Sequence, residues 1–254
     1  MLLLLPPSET KRPGGTPGTR LDLDLLSFAS LTDARRESLE ALRALCQDPE
    51  AARRALKLGA TQGALIELNR EVEDSVTMPA LDRFDGVLFD ALDAATLPDE
   101  ARVRAGENVA IASALFGLVG ALDPIPAYRL SADSRLPGVT LRRHWAAAAG
   151  AALAERAAGG FVLDARSEAY AALGPAPADS RFLRVVTEDG DDRRRALNHF
   201  NKAGKGEFAR ALLTSPVWPG DESDLRDWAR DRGIRLEPGD AGELVLVAEH
   251  RAAA

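Results

Sequence analysis

The chain has 254 residues, of which 46% are hydrophobic and 28% are charged, and this composition excludes the disordered and fibrous classes. Its 32 basic and 39 acidic residues give a net charge of −7, which excludes a protein coated in positive charge but leaves room for a local basic groove. The single cysteine excludes an internal disulfide, and the three histidines make a multi-histidine metal site an unfavourable expectation.

The first residues form a short apolar run, which predicts a buried strand over Leu2–Leu5. Pro6 and Pro7 end this run, whereas a membrane span needs roughly 20 apolar residues and a signal peptide needs a basic start. We therefore expect a cytoplasmic protein with no membrane association. Because no long linker divides the sequence, we also expect a single domain over residues 1–254, and a monomer.

A turn-rich loop follows from Ser8 to Arg20, where three proline and glycine clusters preclude a helix or a strand. The loop is basic, and we expect it to be flexible. Loops that leave buried strands often carry binding groups, so this segment is a candidate binding loop. A surface loop that tolerates any sequence is the equally open alternative.

Leucines at helical spacing predict a helix over Thr32–Leu45, capped by Thr32 or Asp33. Two shorter helices are predicted to begin at Pro49 and near Thr61. Five arginines lie along these helices among glutamates, which favours a solvated, ion-paired face. They are Arg35, Arg36, Arg43, Arg53 and Arg54.

Short elements alternate through the middle of the chain. They are a helix from Gly86, a helix over Pro98–Arg104, a buried strand over Val109–Ile111 and a small apolar run over Ser113–Leu122 that suits close packing. Pro124 and Pro126 then force an extended path. This path is expected to present Tyr128 and Arg129 from stiff backbone.

Longer elements follow in the second half of the chain. They are a helix over Leu141–Ala157, a strand over Phe161–Leu163 that leads to Asp164, a short helix capped by Ser167, a strand over Arg181–Thr187, an acidic turn over Glu188–Asp192, a returning arm over Arg193–Leu197, a helix over Asn198–Leu213, a helix over Asp221–Arg232, and strands over Ile234–Leu236 and Glu243–Val247. The alternation is irregular, and a hairpin stands near the end. The predicted fold class is therefore α/β (mixed α+β), with a central mixed sheet and helices around it.

The segment Arg181–Leu212 is the most basic part of the sequence, with eight bases and five acids, a balance of +3. Four polar residues recur there at intervals of three and four, so they are predicted to share one helix face. They are Asn198, Asn201, Lys202 and Lys205. Such groups near a helix start would suit a phosphate, and an asparagine cap with solvated lysines is an equally open reading.

The run Gly204–Gly206 also suggests, weakly, the hairpin of helix-hairpin-helix modules, which bind the backbone of duplex DNA through main-chain amides. The match is incomplete because the middle position is a lysine. No dinucleotide fingerprint, P-loop, nucleophile elbow or paired-cysteine motif occurs, so we expect no metal and no cofactor.

Seven sequence blocks, in order along nearly the whole chain, resemble those of the YaaA family of peroxide stress proteins. They are LLLLPPSETK at 2–11, FDGVLFDAL at 84–92, SALFGLVGALDPIPAYRL at 113–130, HW at 144–145, VLDARSEAY at 162–170, HFNKAGKG at 199–206 and GELVLV at 242–247. The resemblance implies one α/β domain with a positively charged cleft and a cytosolic role in limiting peroxide damage. It also implies DNA binding through a helix-hairpin-helix-like element and a lowering of the free iron that feeds hydroxyl-radical chemistry.

The matching blocks place two sets of candidate residues in the implied cleft. The candidates for contacting DNA or another anion are Lys11, Tyr128, Arg129, Arg166, Ser167, Asn201, Lys202 and Lys205. The candidates for catalysis are Asp164, Arg166 and Ser8.

Two functions of different classes are compatible with these residues. In the first, the basic groups contact the phosphates of duplex DNA without reading bases, so affinity falls steeply with salt. In the second, an enzyme acts on a small phosphorylated or nucleotide-like molecule, with Asp164 as general base and Arg166 as anion clamp. An internal Asp164–Arg166 pair with Ser167 as a helix cap is the simpler alternative for those residues. Direct iron binding has the least support, because no ligand cluster occurs at suitable spacing.

Overall fold

A mixed sheet with helices around it is built from elements that alternate along the chain. The computed structural model describes residues 1–188, 194–195, 198–240 and 242–248, and the elements that follow are those of this described part. The strands are β1 Leu2–Leu5, β2 Met78–Pro79, β3 Val109–Ser113, β4 Gly117–Gly120, β5 Pro124–Ile125, β6 Val162–Asp164, β7 Arg181–Glu188, β8 Arg194–Arg195, β9 Leu236–Pro238 and β10 Glu243–Ala248. The helices are α1 Thr32–Cys46, α2 Pro49–Ala55, α3 Ala64–Arg70, α4 Ala80–Arg83, α5 Val87–Leu92, α6 Asp99–Asn108, α7 Leu141–Ala157, α8 Glu168–Ala171, α9 Asn198–Thr214 and α10 Glu222–Arg230.

The strands of the main sheet follow the order β4-β3-β1-β6-β7-β10-β9, with β8 paired to β7. Strands β3, β1, β6, β7 and β10 run parallel, whereas β4, β8 and β9 are antiparallel to their neighbours. The predicted mixed α/β class is therefore confirmed. The predicted first strand is also confirmed, since all four residues of β1 are buried between β3 and β6.

The carboxyl ends of β1 and β6 form a topological switch point. From β1 the next strand of the main sheet is β3, on one side, whereas from β6 it is β7, on the other. The register pairs Leu4 with Asp164, and the Ala165 amide donates to the Leu4 carbonyl at 2.8 Å. In open α/β sheets the crevice beside such a point is the usual ligand site. The fold therefore brings the loop after β1 and residues 164–167 to that crevice.

Arg35 does not lie on a solvated face, which corrects the prediction made for the five arginines. Its side chain is fully buried, and its guanidinium donates to the carbonyls of Phe116 at 3.1 Å, Leu118 at 2.7 Å and Ser27 at 2.6 Å. Leu118 belongs to β4 and Phe116 directly precedes this strand, so the guanidinium lies at the outer edge of the sheet. Burial lowers the pKa of Arg35 to about 10, and Asp123 opposes this shift.

The first helix begins differently from the prediction. Thr32 is its first residue rather than its cap, because a 3₁₀ turn over Ala29–Leu31 leads directly into it and no side chain caps the start. In contrast, Asp48 caps α2 by accepting from the amides of Glu50 and Ala51 at 3.0 and 3.1 Å.

The loop from Ser8 to Arg20 has no regular structure, as predicted, but backbone bonds tie it to the segment 76–85. The Arg12 amide donates to the Arg83 carbonyl at 2.9 Å, and the Thr16 amide donates to the Thr77 carbonyl at 2.8 Å. Lys11 also forms a β-bridge with Phe84. The guanidinium of Arg83, fully buried, also donates to the carbonyls of residues 12, 76 and 125. A flexible loop was expected, whereas these bonds hold the loop against the segment 76–85.

The run Gly204–Gly206 lies within α9, so the suggested helix-hairpin-helix turn is wrong at this position. Glycine is required here by packing. A Cβ on Gly206 would overlap the Leu88 carbonyl and lie 2.9 Å from the Ala91 Cβ, and both belong to α5. A Cβ on Gly204 would lie 3.1 Å from Val185 of β7.

The predicted hairpin after β7 is present where the structure describes it. Thr187 pairs with Arg195 and Glu188 with Arg194. Residues 189–192 of the predicted acidic turn, and residues 193, 196 and 197 of the returning arm, lie outside the described residues. No helix within the described ranges is long and apolar enough to cross a membrane.

Candidate functional site

Lys11 lies in the loop after β1 that the segment 76–85 holds in place. Its Nζ donates to the carbonyls of Ser8 at 3.0 Å and Glu9 at 3.2 Å. The same atom lies 4.0 Å from the ring centre of Tyr128 and 5.5 Å from that of Phe84. Burial and the nearby Arg129 cation lower the pKa of Lys11 to about 7, and Glu9 opposes the shift. An amine so placed is easily deprotonated near neutral pH.

Arg129 stands beside Lys11 with one nitrogen unsatisfied. The amide of Asn69 fixes its backbone, accepting from Arg129 N at 2.7 Å and donating to Arg129 O at 2.9 Å. Its Nη2 lies 2.7 Å from the Glu9 carboxylate. Its Nε is buried and has no hydrogen-bond partner. A buried donor left in this way costs roughly 1–3 kcal/mol, which an incoming acceptor would relieve.

Tyr128 is buried, which corrects the expectation that stiff backbone would present it to a ligand. Its hydroxyl is 2.8 Å from the Ser113 hydroxyl at the carboxyl end of β3, and Ser113 accepts from the Phe116 amide at 2.9 Å. Burial raises the pKa of Tyr128, so the phenol stays protonated. The uncharged ring of Tyr128 therefore packs against the Lys11 amine.

Asp164 and Arg166 form a buried pair at the end of β6, in agreement with the simpler of the two readings. The guanidinium donates from Nε to Asp164 Oδ1 at 2.8 Å and from Nη2 to Oδ2 at 2.7 Å. The Arg166 amide adds a third bond to Oδ1 at 3.0 Å. Both oxygens of the carboxylate are thus already occupied, which leaves little capacity for Asp164 to act as a general base.

Lys205 is buried beside this pair. Its Nζ donates to the Arg166 carbonyl at 3.3 Å and lies 5.3 Å from the ring centre of Phe182. Burial is the main cause that lowers the pKa of Lys205 to about 8, with Asp164 opposing and Arg184 adding to the shift. Among the described residues Lys205 makes no ion pair, because both oxygens of Asp164 bond to Arg166.

The polar face predicted for the start of α9 divides into two sides. Asn201 and Lys205, one turn apart, point inward, whereas Lys202 is exposed. The Asn201 Oδ1 is buried without a hydrogen-bond partner. The side chain of Asn198 lies outside the described residues. Lys202 therefore does not share the environment of Lys205.

Two serine candidates are placed by the backbone of their loops. The Ser8 hydroxyl donates to the Thr10 carbonyl and accepts from the Asp85 amide at 2.9 Å, so it joins two loops. Ser167 occupies the position before α8 but is exposed, and its side chain makes no capping bond. The prediction of a Ser167 side-chain cap is therefore wrong.

The short helix α8 carries one residue close to Glu9 and Arg129 and another close to Arg184, whose charge acts on Lys205. Tyr170, near its end, is close enough to Glu9 and Arg129 for their charges to act on its phenol, and burial raises the pKa of Tyr170. Glu168, at its start, lies 3.6 Å from Arg184, which in turn pairs with Glu243. We name the residues that flank α8 at the ends of β1 and β6 the switch-point site. They are Lys11, Arg129, Asp164, Arg166, Asn201 and Lys205.

The switch-point site carries more cations than carboxylates. Arg166 is matched by Asp164 and Arg129 by Glu9, which leaves the partly exposed Lys11 and the buried Lys205 as the excess. A buried charge is costly unless it is paired, so an anion beside Lys205 would be stabilised and would raise the pKa of this lysine. No group of three or more histidine, cysteine or acidic side chains able to hold a metal occurs in the described ranges.

Sequence reasoning missed the partners that set the chemistry of Lys11. Phe84, Ser113 and Tyr170 all lie in the sequence blocks that resembled a family, but nothing in their local pattern marks them as neighbours of residue 11.

Two surface grooves of about 500 Å³ lie away from the predicted site residues. One lies beside α10 and β9 and the other beside α2, and neither is lined by a predicted site residue.

Comparison with known proteins gives a consistent result over the whole chain. The family model described as peroxide stress protein YaaA matches residues 1–236. The UPF0246 protein of Corynebacterium glutamicum strain R is 41% identical over 254 residues, covering 97% of this chain and 100% of its own length. The UPF0246 proteins of Corynebacterium efficiens and Streptomyces coelicolor are 42% and 39% identical, each covering 93% of this chain and 95% and 92% of their own lengths. The chain therefore belongs to the YaaA family of peroxide stress proteins, also designated UPF0246.

Proposed function

We propose that this chain is a cytoplasmic peroxide stress protein that binds a small phosphate-bearing molecule, such as a nucleotide, at the switch-point site. The observation that carries the proposal is the buried Lys205 side chain, whose Nζ has one hydrogen-bond acceptor, a carbonyl at 3.3 Å, and which forms no ion pair with any residue that the structure describes. A buried cation without a counter-ion is expected to attract an anion.

Two further groups support a ligand with mixed chemistry. The unpartnered Arg129 Nε is a donor that suits a phosphate oxygen, and the unpartnered Asn201 Oδ1 is an acceptor that suits a hydroxyl or an amine. Nucleotides and sugar phosphates carry both kinds of group. Because these atoms are buried, a compact ligand fits them better than a polymer that lies across the surface.

Calorimetric titration with inorganic phosphate and with adenosine monophosphate tests this proposal. We expect both to bind the wild type, and Lys205→Met to weaken binding, since a hydrogen bond to a charged group contributes about 1.5–3 kcal/mol, or roughly 10- to 100-fold in affinity. The matched control is Lys57→Met, which removes an exposed lysine paired with Asp133. If neither compound binds, or if Lys205→Met binds as tightly as Lys57→Met, the proposal is wrong.

Duplex DNA is the second candidate ligand, and the exposed position of Lys202 favours it. A surface cation on α9 can contact a phosphate of a bulky polymer, which the buried Lys205 cannot do. In this alternative, protection against iron-dependent damage follows from occupancy of the DNA, and the protein itself binds no iron.

Gel-shift titrations at several salt concentrations test the DNA alternative. Each lost phosphate contact lowers the slope of log affinity against log salt by about 1, so we expect Lys202→Ala to have a shallower slope than Lys57→Ala. The absence of salt-sensitive binding by the wild type would rule out this candidate, as would equal slopes for the two variants.

A further inference from the structure

The guanidinium of Arg129 is only half engaged by its carboxylate partner. The Nε and Nη2 atoms of an arginine present two parallel N–H bonds, which fit two oxygens of a carboxylate or a phosphate. Arg166 uses both of these donors on Asp164, at 2.8 and 2.7 Å. At Arg129, by contrast, one Glu9 oxygen lies 2.7 Å from Nη2, and Nε is buried without a hydrogen-bond partner. Glu9 therefore leaves one of the two donors on this edge of Arg129 unused.

The two members of this ion pair are held very differently. The fully buried Asn69 fixes the backbone of Arg129 on both sides, at 2.7 and 2.9 Å, and the Arg129 side chain is only 15% exposed. The Glu9 side chain is 61% exposed. An ion pair with so exposed a partner contributes little to stability, because water and salt screen it. The Glu9 carboxylate can therefore leave Arg129 at small cost, whereas Arg129 stays in place.

Lys11 adds a second cation beside this pair. Its Nζ faces the carbonyls of Ser8 and Glu9 and lies 4.0 Å from the centre of the Tyr128 ring, which suits an ammonium. Within the described part of the chain, Glu9 is the one carboxylate that forms an ion pair with Arg129, and none forms an ion pair with Lys11. Two cations and the Glu9 carboxylate sum to +1, whereas a phosphate dianion in place of Glu9 would bring the sum to zero.

We infer that Glu9 occupies the place of the ligand's phosphate group on Arg129, and that it moves into solvent when the ligand binds. The phosphate then accepts from both Nε and Nη2 of Arg129, as Asp164 does from Arg166. This inference rests on the proposed function and adds to it a competing carboxylate that is built into the protein. It concerns the Arg129 end of the switch-point site alone and does not require Lys205 to contact the same phosphate.

Calorimetric titration of inorganic phosphate into the wild type and Glu9→Gln tests the inference, since this substitution keeps the shape of the side chain and removes its charge. The matched control is Glu73→Gln, which removes the same charge from another exposed glutamate, paired with Arg43 at 2.6 Å. We expect Glu9→Gln to bind phosphate about two- to fivefold more tightly than the wild type, which is the strength of an exposed ion pair. We expect Glu73→Gln to bind as the wild type does, and the gain to disappear when Glu9→Gln is combined with Arg129→Gln.

The outcomes separate this inference from the proposed function. Equal affinities of Glu9→Gln and the wild type, or an equal gain in Glu73→Gln, would overturn the inference, and a loss of phosphate binding in Lys205→Met would then still support the proposed function. Phosphate binding that responds to Glu9→Gln but not to Lys205→Met would support the inference and contradict the role proposed for Lys205. If neither the wild type nor Glu9→Gln binds phosphate, both are wrong.

Discussion

Gly206→Ala tests whether the glycines of α9 serve helix packing or an anion-binding turn. Alanine favours a helix over glycine by about 1 kcal/mol, so helix propensity alone predicts a more stable protein. The structure predicts the opposite, because the new Cβ would overlap the Leu88 carbonyl and lie 2.9 Å from the Ala91 Cβ. The Cβ would lie only 2.1 Å from the Leu88 oxygen, whereas non-bonded heavy atoms pack best at roughly 3.5–4.0 Å, so α9 must retreat from α5 by about 1 Å or more.

The expected loss follows from these opposing effects. Overpacking costs typically ~1–3 kcal/mol, and a clash with backbone belongs at the upper end, so after the gain in propensity the net loss is about 2 kcal/mol. For a chain of this size that loss lowers the melting temperature by roughly 4–8 °C, measurable by circular dichroism. Gly150→Ala in α7 is the matched control, since its Cβ would meet Pro175 O at an ordinary 3.4 Å. A Gly206→Ala variant as stable as Gly150→Ala would refute the packing argument.

Three further predictions concern buried charges, each measured by urea unfolding. Arg35→Met removes three bonds to carbonyls, two of them at the sheet border, and should lower the free energy of unfolding by about 3 kcal/mol, whereas the exposed Arg36→Met should lower it by less than about 0.5 kcal/mol. Equal losses would contradict the structural role of Arg35. Asp164→Asn leaves the buried Arg166 cation without its counter-ion and should lower the free energy of unfolding by ~3–5 kcal/mol. Adding Arg166→Met to this variant should raise the free energy of unfolding again rather than lower it further. Because the pKa of Lys11 falls from 10.5 to about 7 on folding, the unfolded chain binds more protons between these values, so wild-type stability should rise from pH 7 to pH 9, and Lys11→Met should show a smaller rise. Parallel pH profiles would show that the folded protein does not disfavour the Lys11 charge.

Local patterns in the sequence predicted most elements of the fold, and the reason is physical. The apolar run Leu2–Leu5 has no polar face, as expected of a strand buried on both sides, and it forms an interior strand of the sheet. The alanine-rich segment Leu141–Ala157 had helical propensity throughout, and α7 has those same bounds. In both cases the residues that decide the structure are neighbours in sequence.

The failures concern contacts between distant parts of the chain. Arg35 has the same local pattern as its exposed neighbours, and what distinguishes it is a carbonyl 81 residues away. Lys202 and Lys205 are three residues apart, so spacing placed them together, whereas packing of α9 against β7 and α5 buries only one of them. The environment of Lys11 likewise depends on rings at positions 84 and 128, which no local pattern could assign to it.

The buried guanidinium of Arg35 has a consequence for self-association. Strand β4 is the last strand on its side of the sheet, and an exposed last strand invites pairing with another chain. Arg35 bonds to the carbonyls of residues 116 and 118, the groups that such a chain would have to engage. The opposite border is β9, which has three residues and ends in Pro238, a residue without an amide donor. We therefore expect purified protein to resist strand-to-strand aggregation, and Arg35→Met to form aggregates that bind amyloid dyes on mild heating.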